Sequence, residues 1–306
     1  MTLSQLTNGS GFPKAAELIE INGTHALEAS DRAIFNHLLQ TAHDSGRLGE
    51  ADAEWEISLA ALRRPASKHE SNDRIRESLR RLRRTEVKVT YISARTGKRR
   101  TMETNLLEFT DTDDEENEAA TLQFGIPKRL RLILARSNRW GRIRCEVAYA
   151  MTSKYAIALY EKLCLWANLD NCIRTMDVAE FRDMLGVPPG AYERGLDFER
   201  KVIEPAVLEV DGLSDLGVKI EVQRRHARAP IHAVTLCWWK KQGDEFRAAT
   251  QERGRSKVGR MQRLRGQVEK VDALIGLDGE KRLAAANAEV AATLAGMRSQ
   301  ERQAGE

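Results

Sequence analysis

The chain has 306 residues, with 49 Lys plus Arg against 45 Asp plus Glu and a formal net charge of +4 at pH 7, a length that predicts about two domains. Its mean hydropathy of −0.49, the lack of a long apolar run and a polar N-terminus without a signal pattern lead us to expect a soluble cytoplasmic protein with no membrane contact. The four cysteines include no C-x-x-C pair, which predicts reduced thiols rather than a zinc site.

Charge is strongly segregated along the chain. Residues 63–100 carry 14 basic side chains and four acidic ones, a net charge of +10. Residues 128–144 carry seven basic side chains and no acidic one, whereas residues 111–118 hold six acidic side chains and are predicted to form an exposed loop. Because a polyanion responds to the local patch rather than to the total charge, this pattern predicts a nucleic-acid partner.

The first half predicts a winged helix over residues 29–150, after a flexible polar tail at residues 1–28. One helix is predicted from about Ser30, and another follows Ser71, since serine is a favoured helix N-cap. Alternating apolar residues then predict two strands. The turn between these strands is basic and contains Lys98, Arg99 and Arg100.

The second half predicts another winged helix, over residues 151–241. Ser153 precedes a helix, and Asp177 opens a capping-box pattern before a second one. A third helix contains Pro205, which should kink it because proline lacks the backbone donor. Two strands then flank an arginine-rich loop, and residues 242–306 are predicted to be a basic, helix-prone and partly disordered tail.

Basic side chains of the first winged helix are candidates for phosphate contacts, because guanidinium groups donate paired hydrogen bonds to phosphate. The alternative is an ordinary solvated helix face. The low acid content nearby argues against ion pairing within the helix and favours DNA. The candidates on this helix are Arg76, Arg80, Arg83 and Arg84, and those of the following turn are Lys98, Arg99 and Arg100.

The third helix of the second half offers candidates for base contacts, namely Arg194, Arg200 and Lys201. Long donors near the N-terminal end suit a recognition helix in the major groove. A surface helix with routine charges explains the same residues equally well, and the residues alone leave both interpretations open. The arginine-rich loop adds candidates for phosphate contacts at a wing tip, namely Arg224, Arg225 and Arg228.

Catalytic alternatives have little support in the residue pattern. Gly97-Lys98 resembles the end of a phosphate-binding loop, but Ile92 occupies the position of the first glycine and Arg99 that of the Ser or Thr. His226 and His232 lack the close spacing of a metal-binding pair. We therefore expect no enzyme, no cofactor and no metal.

Several segments of the second half resemble iteron-binding plasmid replication initiators of the RepB/RepE type. They occur in the order and spacing of that family over about sixty residues, whereas residues 30–150 match more loosely. The segments are residues 152–161 (TSKYAIALYE), 180–187 (EFRDMLGV), 198–207 (FERKVIEPAV) and 214–216 (SDL).

The resemblance implies an α+β protein with two tandem winged helices, each a helix-turn-helix with a β-hairpin wing, and a helical or disordered C-terminal tail. Such initiators bind double-stranded DNA, as monomers at origin direct repeats called iterons and as dimers at their own operator, where they repress their gene and limit copy number. They assist origin opening and recruit the host initiator and the replicative helicase. Dimerisation and phosphate contacts fall on the first domain.

By the same resemblance, the second domain reads bases through Arg194 and Arg200, with Lys201 beside them. Glu199 is acidic where relatives can carry a basic residue, so the repeat sequence stays open. Two alternative functions differ from this one. One is a winged-helix transcriptional repressor without initiator activity, and the other is an origin-nicking nuclease, which the missing histidine pair disfavours.

Overall fold

The computed structural model describes residues 11–63, 71–93, 95–113, 120–167, 169, 171–226 and 229–266. The chain up to Arg255 forms one compact unit, and a second unit begins at Ser256. No helix within the described ranges is long and apolar enough to cross a membrane. The predicted acidic loop falls largely on residues 114–119, outside the described residues.

The N-terminal half is a winged helix with additional strands and helices. Its elements are β1 (Phe12–Ala15), α1 (Ala16–Ile19), α2 (Ala29–Asp44), β2 (Trp55–Ser58), α3 (Leu59–Arg63), α4 (Asn72–Arg84), β3 (Glu86–Ile92), β4 (Arg99–Asn105), β5 (Phe109–Thr112), β6 (Thr121–Gly125), α5 (Lys128–Arg136), β7 (Trp140–Ile143) and α6 (Cys145–Ala150). Strands β3 and β4 form the wing, and β2, β6 and β5 form a separate antiparallel sheet in that order.

The predicted helix and basic hairpin of the first half are confirmed. Ser71 caps α4 by accepting a hydrogen bond from the Arg74 backbone N–H at 3.3 Å, and Ile75, Leu79 and Leu82 are buried. The β3–β4 register runs from Glu86 opposite Asn105 to Ile92 opposite Arg99. The basic residues Arg99 and Arg100 therefore lie in strand β4 rather than in the turn.

The prediction of a flexible tail over residues 1–28 is wrong for residues 12–27. Strand β1 pairs antiparallel with β7, with Phe12 opposite Ile143, and Phe12, Leu18 and Leu27 are buried in the core. The partner strand lies more than 120 residues further along the chain. A sequence window around β1 therefore carries no signal of this pairing.

The second half is a winged helix with the order helix, strand, helix, recognition helix, hairpin. Its elements are α7 (Lys154–Trp166), β8 (Ile173–Asp177), α8 (Val178–Leu185), α9 (Gly195–Phe198), a π-helical turn (Glu199–Ile203), α10 (Glu204–Leu213), β9 (Leu216–Arg224) and β10 (Ile231–Lys240). The sheet order is β8-β10-β9, all antiparallel, which confirms the two predicted strands around the wing loop.

The predicted tail is structured at its start. Helix α11 (Gly243–Gly254) packs against α10, and Arg253 donates a hydrogen bond to the carbonyl oxygen of Leu213 at 2.9 Å. A short helix α12 (Arg260–Leu264) lies in the second unit. Residues 267–306, the rest of the predicted tail, lie outside the described residues.

Helix α7 is packed on both sides, against α2 and β7 of the first half and against α10 of the second. The buried side chains of the two halves form one continuous core. Glu209 of α10 is 1 % exposed and accepts hydrogen bonds from the backbone N–H groups of Thr152 and Ser153 at 2.9–3.0 Å. A carboxylate at this position stabilises the N-terminal end of α7.

A buried polar cluster also joins the two halves. Lys14 of β1 donates hydrogen bonds to Asn36 of α2 and to Glu161 of α7, both at 2.9 Å, and Asn36 donates to Glu161 at 2.7 Å. All three side chains are almost fully buried. Burial lowers the pKa of Lys14, and the Glu161 carboxylate opposes that effect.

Candidate nucleic-acid interface

The recognition helix of the second half runs from Gly195 to Leu213 in three segments. Phe198, Val202, Ala206 and Val210 are buried and anchor one side of it in the core. Because helix side chains about half a turn away from such a stripe face outwards, the opposite side is open to solvent. The predicted base-contact residues lie exposed at its N-terminal end, with Arg194 at the N-cap position of α9 and Arg200 and Lys201 in the π turn.

These three basic residues differ in their pairing. Lys201 forms an ion pair with Asp197, one helical turn earlier, at 3.2 Å. The side chains of Arg194 and Arg200 have no hydrogen-bond or ion-pair partner in the part of the chain that the structure describes. Their guanidinium groups are therefore the ones available to an external acceptor.

The predicted kink at Pro205 takes the form of a π-helical turn. The Glu204 backbone N–H donates to the carbonyl oxygen of Glu199, five residues earlier, instead of four. Proline at the start of α10 lacks a donor and its ring would crowd the preceding turn of an α-helix, so one extra residue is accommodated there. The widened turn contains both Arg200 and Lys201.

The turn that enters the recognition helix is held by Arg182 of α8. Its guanidinium donates hydrogen bonds to the carbonyl oxygens of Ala191 and Tyr192 and lies over the Phe198 ring, 4.7 Å from the centroid. Tyr192 has a φ of 53°, the one positive φ of a described residue other than glycine. Such a conformation is strained for this residue type and needs support. The residue pattern around Arg182 carries no local signal of this role, so it was not predictable from the sequence.

The wing is fastened to the recognition helix by an ion pair between Arg224 of β9 and Glu199. Glu199, the acidic departure from the family pattern, thus has a structural partner within the chain. Arg225 is exposed beside it, and Arg228 lies outside the described residues. Gly195 permits this arrangement, since a Cβ there would lie 3.2 Å from Arg224 Nη2.

The arginines of α4 divide into paired and unpaired groups, contrary to the expectation that low acid content prevents pairing within the helix. Arg76 pairs with Asp73 at 3.5 Å, and Arg80 pairs with Glu77. The helix spacing of three residues brings each acid next to an arginine, so few acids suffice. Arg81 makes a two-pronged contact to the buried Asp31 of α2, at 2.8 and 2.9 Å.

The remaining predicted phosphate contacts of the first half are exposed and have no ion-pair partner within the described ranges. Arg83 and Arg84 lie at the end of α4, and Lys98, Arg99 and Arg100 lie at the tip of the β3–β4 wing. Asn105 donates to the Arg83 carbonyl oxygen at 2.6 Å and fastens the base of the wing to α4. Six residue steps of antiparallel strand separate base from tip, about 20 Å.

The described residues contain no arrangement of side chains that supports either the phosphate-loop or the metal-site alternative. Gly97 lies in the wing turn with a φ of 64°, and its N–H donates to the Ser93 carbonyl oxygen at 2.8 Å. His226 and His232 are exposed at the second wing. Within the described ranges, no group of three or more His, Cys, Asp or Glu side chains is arranged to hold a metal ion, and the four cysteines form no disulfide with one another.

Two winged helices with exposed, unpaired arginines on a recognition helix and on a wing define a winged-helix DNA-binding protein. Residues 13–164 match the family described as Initiator Replication protein, WH1, and residues 177–237 match Initiator Rep protein, WH2. The chain belongs to this family of replication initiators. The resemblance seen in the sequence and the predicted fold class are thereby confirmed.

Solved structures of similar fold include the crystal structure of Pi initiator protein in complex with iteron DNA. It is 14 % identical, with a TM-score of 0.58, and the match covers 76 % of this chain and 98 % of that one. A structure of domains 2 and 3 of RctB is 15 % identical, with a TM-score of 0.44, and the match covers 69 % of this chain and 81 % of that one. No curated protein sequence matches the chain.

Proposed function

We propose that this initiator binds direct repeats, or iterons, at a plasmid origin through its second winged helix. The observation that carries the proposal is the pair of exposed, unpaired guanidinium groups, Arg194 and Arg200, at the N-terminal end of a recognition helix in a replication initiator. The Pi initiator, whose fold is similar, was crystallised with iteron DNA, and this supports the choice of target.

Base reading is assigned to Arg194 and Arg200, because guanidinium donates two hydrogen bonds to guanine O6 and N7 in the major groove. Lys201 assists once a DNA acceptor competes with Asp197. Phosphate contacts are assigned to basic residues of both winged helices. In the first winged helix they are Arg76, Arg80, Arg83, Arg84, Lys98, Arg99 and Arg100, and in the second they are Arg224, Arg225 and Arg228.

The two halves have different roles in this proposal. The first winged-helix domain, residues 29–150, supplies dimerisation and phosphate contacts, and the second, residues 151–241, supplies iteron recognition. Monomers bind the repeats, assist origin opening and recruit the host initiator and replicative helicase, without catalysis by this chain. Dimers bind the operator and repress the gene.

The test is DNase footprinting of the full-length protein on DNA flanking its gene. We expect protection of several direct repeats of about one to two helical turns each, next to an AT-rich segment, and loss of replication when the repeats are deleted from a reporter plasmid. Protection of a single inverted repeat, with replication unaffected by its deletion, would instead identify a transcriptional repressor.

A further inference from the structure

The recognition helix carries an apolar side chain in water between its two unpaired arginines. Leu196 is 65 % exposed, the highest value among large apolar residues described in the compact unit. Exposed leucines are common on protein surfaces, so exposure alone carries no inference. What distinguishes Leu196 is its position.

Leu196 points away from the core of the helix. At about 100° per residue of α-helix it lies some 160° from the buried Phe198, and Arg200 follows about one turn later, in the π turn. Leu196 lines an open groove between helix and wing together with Arg194, Glu199 and Arg224.

We propose that Leu196 contacts the C5-methyl group of a thymine in each repeat. This inference rests on the proposed function, in which this end of the helix enters the major groove. The thymine methyl is the apolar group that base pairs present there, and a side chain flanked by Arg194 and Arg200 is at the depth of the base edges. Water leaves both apolar surfaces when they meet.

The experiment replaces single thymines of one footprinted repeat by deoxyuridine, which removes the methyl and keeps base pairing. Full-length wild-type protein and Leu196→Ala are titrated with each duplex by fluorescence anisotropy. At one thymine we expect wild type to lose about three- to tenfold in affinity. Leu196→Ala should show that loss already on normal DNA and no further loss with uracil.

Ile173→Ala is the matched control, because Ile173 is also an exposed apolar residue of the second winged helix, at 51 % exposure. Ile173 pairs with Cys237 of β10, six residues from Ile231, where β10 meets the wing loop, so it is remote from the wing tip. This variant should respond to uracil as wild type does. Leu196→Gln keeps a side chain of similar length but makes it polar, and it should reproduce the result of Leu196→Ala.

The two possible failures are distinguishable. If wild type binds the repeat no better than random DNA, the proposed function is wrong and the thymine contact falls with it. If wild type prefers the repeat but every uracil substitution affects wild type and Leu196→Ala equally, the thymine contact is wrong and the proposed function stands.

Discussion

Arg200 and Lys201 are neighbours in the π turn, yet only Lys201 has a partner, Asp197 at 3.2 Å. Replacing Arg200 with Ala should therefore remove a base contact without disturbing an internal ion pair. We expect a loss of about 1–3 kcal/mol in binding free energy on the repeat and relaxed preference at one base pair. Competition titrations with single-base variants of the repeat measure both effects.

Lys219→Ala is the control for Arg200→Ala, because Lys219 is exposed on β9 and paired with Glu221 at 2.8 Å. It should leave the base preference unchanged. An equal loss for Arg200→Ala on repeat and random DNA would show that Arg200 contacts phosphate instead of a base.

Asp215, immediately before β9, is a buried carboxylate whose two oxygens accept no hydrogen bond from another described residue. Burial raises its pKa, against the opposing charges of Arg144 and Arg253. The ionised form is thus less favourable in the folded chain than in the unfolded one. Asp215→Asn should increase the free energy of unfolding at pH 7 by about 1–3 kcal/mol, measured by urea denaturation.

This gain should shrink as the pH falls through the raised pKa of the folded state, because the wild-type carboxyl then becomes neutral as well. Asp52→Asn, at an exposed position, should change stability little across the same pH range. A gain at Asp215→Asn that persists unchanged under acid conditions would contradict a cost of burying the charge.

The exposed donors of the recognition helix were predictable from the sequence, but the contacts that position them were not. Arg200 was predictable because the buried stripe at intervals of four residues turns it away from the core, and Arg194 because it lies at the entrance to the helix. The Arg182 hydrogen bonds to the turn and the Arg224–Glu199 ion pair join residues on different elements. Such contacts depend on how the elements pack, which a local pattern does not contain.

Helix α4 and the β3–β4 wing form a unit with unpaired basic residues at its base and at its tip. Replacing Arg83 or Arg99 with Ala should weaken binding to all DNA sequences similarly. Each lost phosphate contact should reduce the slope of log K against log salt by about 0.9. Affinities measured between about 50 and 200 mM salt determine this slope.

Arg47→Ala provides the comparison, since Arg47 lies in the segment after α2, outside α4 and the β3–β4 wing, and is paired with Glu50 at 2.8 Å. Its salt dependence should equal that of wild type. If Arg83→Ala and Arg99→Ala also keep the wild-type slope, the first winged helix does not touch DNA phosphates.

At the element scale, local signals predicted most of the helices and both wings. Ser71 and Ser153 cap the helices that follow them, and Gly186 ends α8 in the left-handed conformation. The capping box at Asp177 is not formed, because Asp177 is the last residue of β8 and its side chain makes no capping hydrogen bond. The β1–β7 pairing was missed, since its two strands are remote in sequence.

For the whole molecule, the cluster of Lys14, Asn36 and Glu161 joins the N-terminal strand to both halves. Lys14→Met removes one partner and leaves a buried carboxylate, so the free energy of unfolding should fall by about 3–5 kcal/mol. The triple variant Lys14→Met, Asn36→Leu, Glu161→Met replaces the cluster by apolar groups and should regain most of that loss. Urea denaturation of the full chain at one protein concentration measures both.

Arg247→Met is the reference for a surface pair, since Arg247 and Asp244 are both exposed, and should change stability by less than about 1 kcal/mol. If the triple variant is as unstable as Lys14→Met, the cluster stabilises the fold by more than the mutual neutralisation of its charges. Its polar geometry would then be required for the packing of β1 against α2 and α7.

Helix α7 lies almost entirely within the match to the first family domain, residues 13–164, and is also the first helix of the second winged helix. One of its sides fits α2 and β7, and another fits α10. A recombination event that joins the first half of one initiator to the second half of another therefore cannot preserve both sets of α7 contacts. A chain that acquired a new base-reading half from another replicon would have to accept a foreign α7 against its old N-terminal half, or keep its own against a foreign α10. Changes of iteron specificity in such a lineage are expected to accumulate by point substitution around Arg194–Lys201 rather than by exchange of the whole second half.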